Sequence, residues 1–235
     1  MSNDGGTTTT HAWNALNNDD TKYVGYMYGG ANGVASTSKE QARLNETSSN
    51  AKNQLELWYT NNIENKRYGS YISDTLFCND RRLQSEVGGP VTGPAYGEYQ
   101  LPHTNYAAIY KLRTNKLPEL LCGEQIDMFT VSDTTKGNGM LTYPIGLITA
   151  DESSLAGVEP MGQENYNSSN FLVNSRNYWT MTPATGVATI FTVDSDESLD
   201  YYGSSEMYGL RPVINLNANI EAAGDGSATN PFKVV

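Results

Sequence analysis

Acidic side chains at alternate positions mark one stretch of the sequence that could bind a metal ion. The segment Asp194-Ser-Asp-Glu-Ser-Leu-Asp200 places oxygen-bearing side chains at every second position, as the start of a calcium-binding loop does. The pattern then departs from an EF-hand loop, because Leu199 stands where glycine is needed and Ser205 stands where a glutamate would close the loop. We therefore predict no metal site, with calcium as the alternative.

Histidine and cysteine, which often act in acid–base and nucleophilic catalysis, are scarce in this chain. Its two histidines are His11, in a polar lead segment, and His103, in a Pro-flanked loop, and neither neighbours a nucleophile and an orienting acid in sequence. The phosphate-binding pattern that ends in Gly-Lys-Ser or Gly-Lys-Thr does not occur. We therefore predict a protein without enzymatic activity and without a cofactor, and an enzyme is the least favoured interpretation.

The two cysteines, Cys78 and Cys122, allow either one disulfide or two buried thiols. They lack the Cys-x-x-Cys spacing of metal or redox sites. The polar composition suggests secretion into an oxidising compartment, which favours the disulfide. Such a bond would close a loop of about 45 residues and contribute about 3–4 kcal/mol in the chain-entropy description.

The charge balance excludes some classes of partner. With a formal net charge of −11, the chain would be repelled by nucleic acid and by anionic membrane surfaces. No stretch approaches the ~20 apolar residues that a membrane helix needs, and residues 1–10 do not resemble a signal peptide. We expect an extracellular protein whose export or anchor segment lies outside this sequence.

Hydrophobic residues make up only 38% of the chain, and the frequent Asn, Ser, Gly and Tyr favour many turns and short strands. Residues 1–21 are predicted to be a flexible lead-in, and 22–235 a single α+β domain with two helices, several short antiparallel strands and long loops. The predicted elements are a helix capped by Ser48 or Ser49, a helix over 150–156 with a Thr149–Glu152 capping box, strands at 178–181, 188–193 and 208–216, and a polar loop at 194–205.

Four motifs in this order carry a resemblance that covers residues 22–235. They are Tyr71-Ile-Ser-Asp-Thr-Leu-Phe-Cys-Asn-Asp80, the segment 139–152, Tyr178-Trp-Thr-Met-Thr-Pro183 and Gly209-Leu-Arg-Pro-Val-Ile-Asn-Leu216. The chain resembles an uncharacterised family of bacterial extracellular domains that often follow a prepilin-type helix or another surface anchor. That family looks like a branch of the C-type-lectin-like fold, which formylglycine-generating enzymes and the variable proteins of diversity-generating retroelements also have.

The resemblance to retroelement-diversified proteins implies a variable, ligand-facing segment at about 178–211. Residue types reachable from a mutated asparagine codon alternate there with residues outside that set, such as Trp179 and Met181. Tyrosine is favoured at such positions because it offers a large rigid contact at low entropic cost. The predicted ligand-binding residues are Thr182, Ala184, Thr185, Gly186, Val187, Asp194, Asp196, Asp200, Tyr201, Tyr202, Ser204, Ser205 and Tyr208.

Two further residues of this segment are predicted to belong to its framework. Trp179 is expected to fill the core beneath the binding surface. Arg211 is expected to pair with a buried carboxylate, either Asp151 or Glu152.

These observations predict a surface-displayed domain that binds a protein or glycan without catalysis. It would be a retroelement-diversified variable protein or a pilus-linked adhesin, with pilus or surface-anchor proteins as further partners. The alternative is a structural pilin-like subunit, in which the same loops are ordinary surface.

Overall fold

A computed structural model describes residues 9–16, 20–91, 105–160, 170–227 and 229–234. Residues 1–8 and 17–19 of the predicted lead-in, together with His103, lie outside the described residues. Both cysteines and all of the predicted ligand-binding residues lie within the described ranges.

Both helices predicted from the sequence are present, and both begin at the predicted caps. Among the described residues, the α-helices are α1 (Lys39–Ala42), α2 (Asn50–Tyr59), α3 (Ala107–Ile109) and α4 (Ala150–Leu155). Ser49 caps α2, because its hydroxyl accepts a hydrogen bond from the Lys52 amide at 3.1 Å. Thr149 and Glu152 form the capping box of α4, and Gly157, with φ of +92°, follows the end of that helix. The sequence did not predict the two short helices α1 and α3.

The described strands are short, and the largest sheet contains half of them. They are β1 (Thr10–His11), β2 (Met27–Tyr28), β3 (Thr47–Ser48), β4 (Phe77–Cys78), β5 (Met128–Phe129), β6 (Glu159–Pro160), β7 (Tyr178–Pro183), β8 (Thr189–Val193), β9 (Ser198–Gly203), β10 (Tyr208–Gly209), β11 (Ala222–Ala223) and β12 (Lys233–Val234). The six-stranded sheet has the order β1-β10-β7-β8-β9-β6. The structure thus confirms a mixed α+β class.

The sheet corrects three predictions about strands. It is mixed rather than purely antiparallel, because β10 runs parallel to β7 and β6 runs parallel to β9. The predicted loop at 194–205 is also wrong, since Ser198–Gly203 forms the full-length strand β9 against β8. The predicted final strand at 208–216 is shortened to Tyr208–Gly209.

The described part of the predicted lead-in belongs to the fold, which corrects the proposed boundary at residue 22. Thr10 and His11 pair with Gly209 and Tyr208 as the edge strand of the main sheet. Trp13 is completely buried in the core. The polar sequence around them suggested flexibility, but backbone pairing and one buried aromatic ring hold this segment in place.

Two hydrophobic clusters occupy the two faces of the main sheet. One contains Trp13, Trp179, Met181 and Ile190, and it extends to Leu55 of α2. The other contains Phe191, Val193 and Leu199, together with Ala150 of α4. Because successive side chains of a strand point to opposite faces, both faces of β7 and β8 are buried.

The disulfide predicted from the sequence is present. Cys78 and Cys122 are bonded, and the bond ties the end of β4 to the segment that precedes β5. In the described part of the chain, no helix has the length and the apolar character needed to cross a membrane.

Candidate functional site

Strand pairing decides where the tyrosines of β9 point. Tyr202 lies opposite Ile190 and Tyr201 lies opposite Phe191 in the antiparallel β8–β9 register. Neighbouring residues of a strand face opposite sides of the sheet. The two adjacent tyrosines therefore belong to different surfaces, although the sequence prediction treated them as one site.

Tyr202 and Tyr208 form an aromatic pair on the face of the sheet that carries Trp179. Their ring centroids are 4.8 Å apart with an interplanar angle of 47°. The Tyr208 ring also stands edge-on to Trp179, with 4.9 Å between centroids and an angle of 81°. Both tyrosines are half-buried, whereas Trp179 is completely buried beneath them. Ring pairs in such geometry stabilise each other beyond simple area burial.

Carboxylates hold the hydroxyl groups of this pair. The Tyr202 hydroxyl donates to Oδ2 of Asp194 at 2.8 Å, and the Tyr208 hydroxyl donates to Oε2 of Glu206 at 3.0 Å. Asp200, two residues before Tyr202 on the same strand, lies on the same side of the sheet. We call Tyr202, Tyr208, Asp194, Asp200 and Glu206 the tyrosine patch.

The electrostatics of the tyrosine patch follow from burial and from its acidic surroundings. Burial raises the pKa of the Tyr202 hydroxyl, and the hydrogen bond to Asp194 raises it further. The pKa of Tyr208 is raised in the same way, by burial and by the hydrogen bond to Glu206. Burial also raises the pKa of Asp194, although hydrogen bonds from Thr192 and Tyr202 oppose that effect. Both tyrosines therefore remain neutral hydrogen-bonding groups at physiological pH.

Tyr201 faces the other side of the sheet and has different neighbours. Its ring lies 5.8 Å from that of Phe191 at an angle of 79°. The Arg113 side chain donates to its hydroxyl at 3.4 Å, and the guanidinium lies 5.9 Å from the ring centroid. Tyr201 therefore cannot join Tyr202 and Tyr208 in one contact with a ligand.

Five of the predicted ligand-binding residues are buried, which corrects their assignment as freely accessible contacts. They are Thr182, Ala184, Gly186, Asp194 and Ser204. Ala184 and Ser204 have no exposed surface, and the Thr182 hydroxyl accepts the Ala150 amide at 2.8 Å. Small residues in a polar stretch suggest a loop, but neighbouring segments of the folded chain cover these five, and α4 contacts Thr182. Asp194 alone keeps a role at the site, as the acceptor for Tyr202.

The remaining predicted residues keep some exposure but do not all lie together. Thr185, Val187 and Ser205 are half-buried, and Asp196 is exposed. The Thr185 hydroxyl lies 2.7 Å from that of Thr189 at the start of β8. Only Tyr202, Tyr208, Asp194 and Asp200 of the predicted set share the tyrosine patch.

The alternating acids that suggested a calcium loop form a tight hairpin turn instead. The Asp194 amide donates to the Ser198 carbonyl at 2.8 Å, and Glu197 adopts a φ of +76°. The Asp196 carboxylate accepts the Ser198 amide and hydroxyl at 3.2 and 2.7 Å. Among the described residues, no cluster of three or more His, Cys, Asp or Glu side chains could hold a metal ion.

Two framework predictions have different outcomes. Trp179 is completely buried, as predicted, and its indole nitrogen donates to the His11 carbonyl at 2.8 Å. The predicted pairing of Arg211 with Asp151 or Glu152 is wrong. Arg211 donates to the Leu172 carbonyl at 2.8 Å and to the Tyr178 hydroxyl at 3.3 Å, because the chain that follows β10 passes beside the start of β7. Asp151 pairs instead with Lys111, at 3.1 Å.

The sequence prediction missed two residues at the site. Glu206 accepts the hydrogen bond of the Tyr208 hydroxyl. Its position two residues before Tyr208 in the sequence could have indicated this contact. His11 lies opposite Tyr208 in the sheet, and no local sequence pattern predicted that long-range pairing.

Comparisons with known proteins add no relative. No protein-family model matches the chain, no curated protein matches it, and no solved structure matches it. The fold and site define a disulfide-bonded α+β domain with an aromatic and acidic surface patch. We therefore infer its function from the geometry of that patch.

Proposed function

We propose that this protein is a non-enzymatic, surface-displayed domain that binds a protein or glycan through the tyrosine patch. The observation that carries the proposal is the Tyr202–Tyr208 pair, whose rings lie 4.8 Å apart and whose hydroxyls are both held by carboxylates. Fixed aromatic rings can contact a ligand with little loss of side-chain entropy on binding. The buried Trp179 ring packs edge-on against Tyr208 and so helps to fix the pair.

The charge around the patch favours a ligand that is neutral and polar or positively charged. Residues 177–210 contain five acidic residues and no Lys, Arg or His. A nucleic acid would be repelled by this surface.

A C-type-lectin-like fold, with a retroelement-diversified or pilus-linked role, is the finer form of this proposal. This finer proposal is supported by the separation of the segment into buried framework residues and exposed residues that could be replaced. Trp179 and Met181 are completely buried, whereas Asp200, Tyr202 and Tyr208 retain exposed surface. Substitution at the exposed positions leaves the core intact, so a rigid scaffold can tolerate it. Diversification would be confined to such positions, since Ala184 and Ser204 have no room for larger side chains.

The test begins with a glycan array and a displayed random-peptide library, each probed with the whole protein. Hits are then measured against Tyr202→Ala, Tyr208→Ala and the control Tyr201→Ala, which alters the opposite face of the same strand. We expect the first two changes to weaken binding at least about tenfold, as truncation of an interface tyrosine does, and the control to have little effect.

Tyr202→Phe refines this test because it keeps the ring and removes only the hydroxyl that bonds Asp194. Equal affinity of the wild type, Tyr202→Ala and Tyr208→Ala for a confirmed ligand would refute the site. Failure of both screens would instead favour the structural pilin-like subunit.

A further inference from the structure

A cavity of about 290 Å³ lies beside the disulfide and apart from the tyrosine patch. Its walls come from β4, from the segment 119–121, from the start of α4 and from Val213 to Asn215. Thr182 is the one predicted ligand-binding residue that lines it. The volume is near the lower end of the range for ligand sites, which suits one extended side chain better than a ring system.

Negative charge exceeds positive charge in this cavity. Its described lining includes the carboxylates of Asp80, Glu119, Asp151 and Glu152, and one cation, Lys111. Lys111 Nζ lies 3.1 Å from Asp151 and 3.4 Å from Glu119. A second cation, Arg82, stands behind the wall and binds Asp80 through two hydrogen bonds, of 2.9 and 2.7 Å. Among the described residues, two cations thus neutralise only part of the charge of these four carboxylates.

One buried carboxylate keeps an oxygen available for a further hydrogen bond. The Asp151 side chain is only 9% exposed. Its Oδ1 accepts the Glu119 amide at 2.9 Å and faces Lys111, whereas no donor among the described residues reaches Oδ2. Burial raises the pKa of Asp151 despite the neighbouring Lys111. An additional cation would therefore stabilise the ionised form of this group.

A second carboxylate that lines the cavity, Glu152, is exposed, unlike Asp151, but it too makes its hydrogen bonds through one oxygen. Oε2 of Glu152 accepts the Thr149 amide and hydroxyl at 2.8 and 2.9 Å, as the capping box requires. In the described part of the chain, no donor reaches its Oε1. The cavity thus offers one available carboxylate oxygen from each of two neighbouring residues at the start of α4.

The mouth of the cavity is apolar. Leu120 and Leu121 line it with 74% and 61% of their surfaces exposed, and Leu76 adds a third aliphatic side chain. Exposed leucines grouped at a concave site are typical of a binding surface. A ligand that fits both parts must join an apolar stem to a cationic head.

We propose that this cavity binds an alkylammonium group, carried by the lysine side chain of a partner polypeptide or by a free amine. The ammonium has three hydrogen-bond donors and no acceptor, which suits the available oxygens of Asp151 and Glu152. Its methylene stem lies against Leu120 and Leu121. A metal ion fits less well, because no carboxylate cluster with metal-binding geometry exists among the described residues.

Three probes separate the effect of the charge from that of the ligand's source. They are N-acetyl-lysine-N-methylamide, the norleucine analogue that lacks the ammonium, and n-pentylamine as a free amine with one charge. Binding is followed by amide chemical shifts in heteronuclear NMR spectra of the whole protein. We expect the lysine derivative to shift residues that line the cavity and to bind at least about tenfold more tightly than the norleucine analogue.

Matched variants locate the effect. Asp151→Asn and Glu152→Gln each remove one negative charge and keep the shape, and Gln still suits a capping box. Glu221→Gln makes the same charge change at an exposed residue outside the cavity lining. We expect about tenfold weaker binding for the first two and no change for the control. The backbone shift pattern of each free variant shows whether it remains folded.

Each outcome has one meaning. Stronger binding of the lysine derivative than of n-pentylamine assigns the site to a polypeptide, and the reverse assigns it to a free amine. Equal binding of the lysine and norleucine derivatives, unchanged affinity in both Asp151→Asn and Glu152→Gln, or no cavity shifts at millimolar probe would each overturn the proposal. The tyrosine patch plays no part in this result, so either proposal can fail alone.

Discussion

Replacing Asp127 with asparagine should destabilise the fold strongly, because this carboxylate is the buried centre of an ion network. The Asp127 side chain has no exposed surface. Its Oδ1 accepts Arg81 Nε at 2.6 Å, and its Oδ2 accepts Arg43 Nη2 and the Arg81 amide at 2.8 and 2.9 Å. Both carboxylate oxygens thus face donors. An asparagine amide must turn its own N–H groups toward at least one of these donors.

The size of the effect depends on which contacts survive. Removing one partner of a buried ion pair typically costs about 3–5 kcal/mol. Arg81 keeps hydrogen bonds to the Met27 and Arg43 carbonyls, at 2.8 and 3.1 Å, and Arg43 keeps its contact with Glu124. Because these contacts remain, we expect the lower end of the range, about 3 kcal/mol, for Asp127→Asn. That is a large part of the total stability of an ordinary domain.

Urea unfolding at neutral pH, with the disulfide intact, measures this cost. Glu124→Gln is the control, because it removes the other carboxylate that contacts the same Arg43 guanidinium. The Glu124 side chain is 42% exposed, so its loss should cost less than about 1 kcal/mol. Equal midpoints for the two variants would refute our view that burial makes Asp127 the essential partner.

Three further changes test other parts of the structure. Replacing Cys78 and Cys122 by serine should lower the free energy of unfolding by about 4 kcal/mol, since the bond closes a separation of 44 residues; a loss under about 1 kcal/mol would contradict this. Because burial raises the folded-state pKa of Asp194, this group binds its proton more tightly in the folded chain, and its contribution to stability should fall as pH rises from about 4 through that raised pKa. Urea unfolding of Asp194→Asn should therefore show a weaker decline over that interval, and an identical pH profile would refute the assignment. Thr149→Ala should lower the melting temperature by about 2–4 °C through loss of the α4 cap, whereas an unchanged value would show that the cap contributes nothing.

Local sequence signals determined the elements whose causes are local. A capping hydroxyl and the residues just after it placed the start of α4 and limited the start of α2 to two serines, because the hydrogen bonds involved span three residues. The alternation at 188–193 likewise predicted β8, which begins one residue later, at Thr189. The polar composition suggested secretion and therefore favoured a disulfide. Because the sequence holds only two cysteines, only one pair could form it.

Only the tertiary structure decided which residues form the candidate site. Ser198–Gly203 has the composition of a polar loop, yet β8 supplies its backbone partners and makes it a strand. That pairing then separates Tyr201 from Tyr202, because adjacent residues of a strand face opposite sides of the sheet. His11 reaches Tyr208 across nearly the whole chain. Such contacts depend on which distant segments meet, so no local residue pattern could have predicted them.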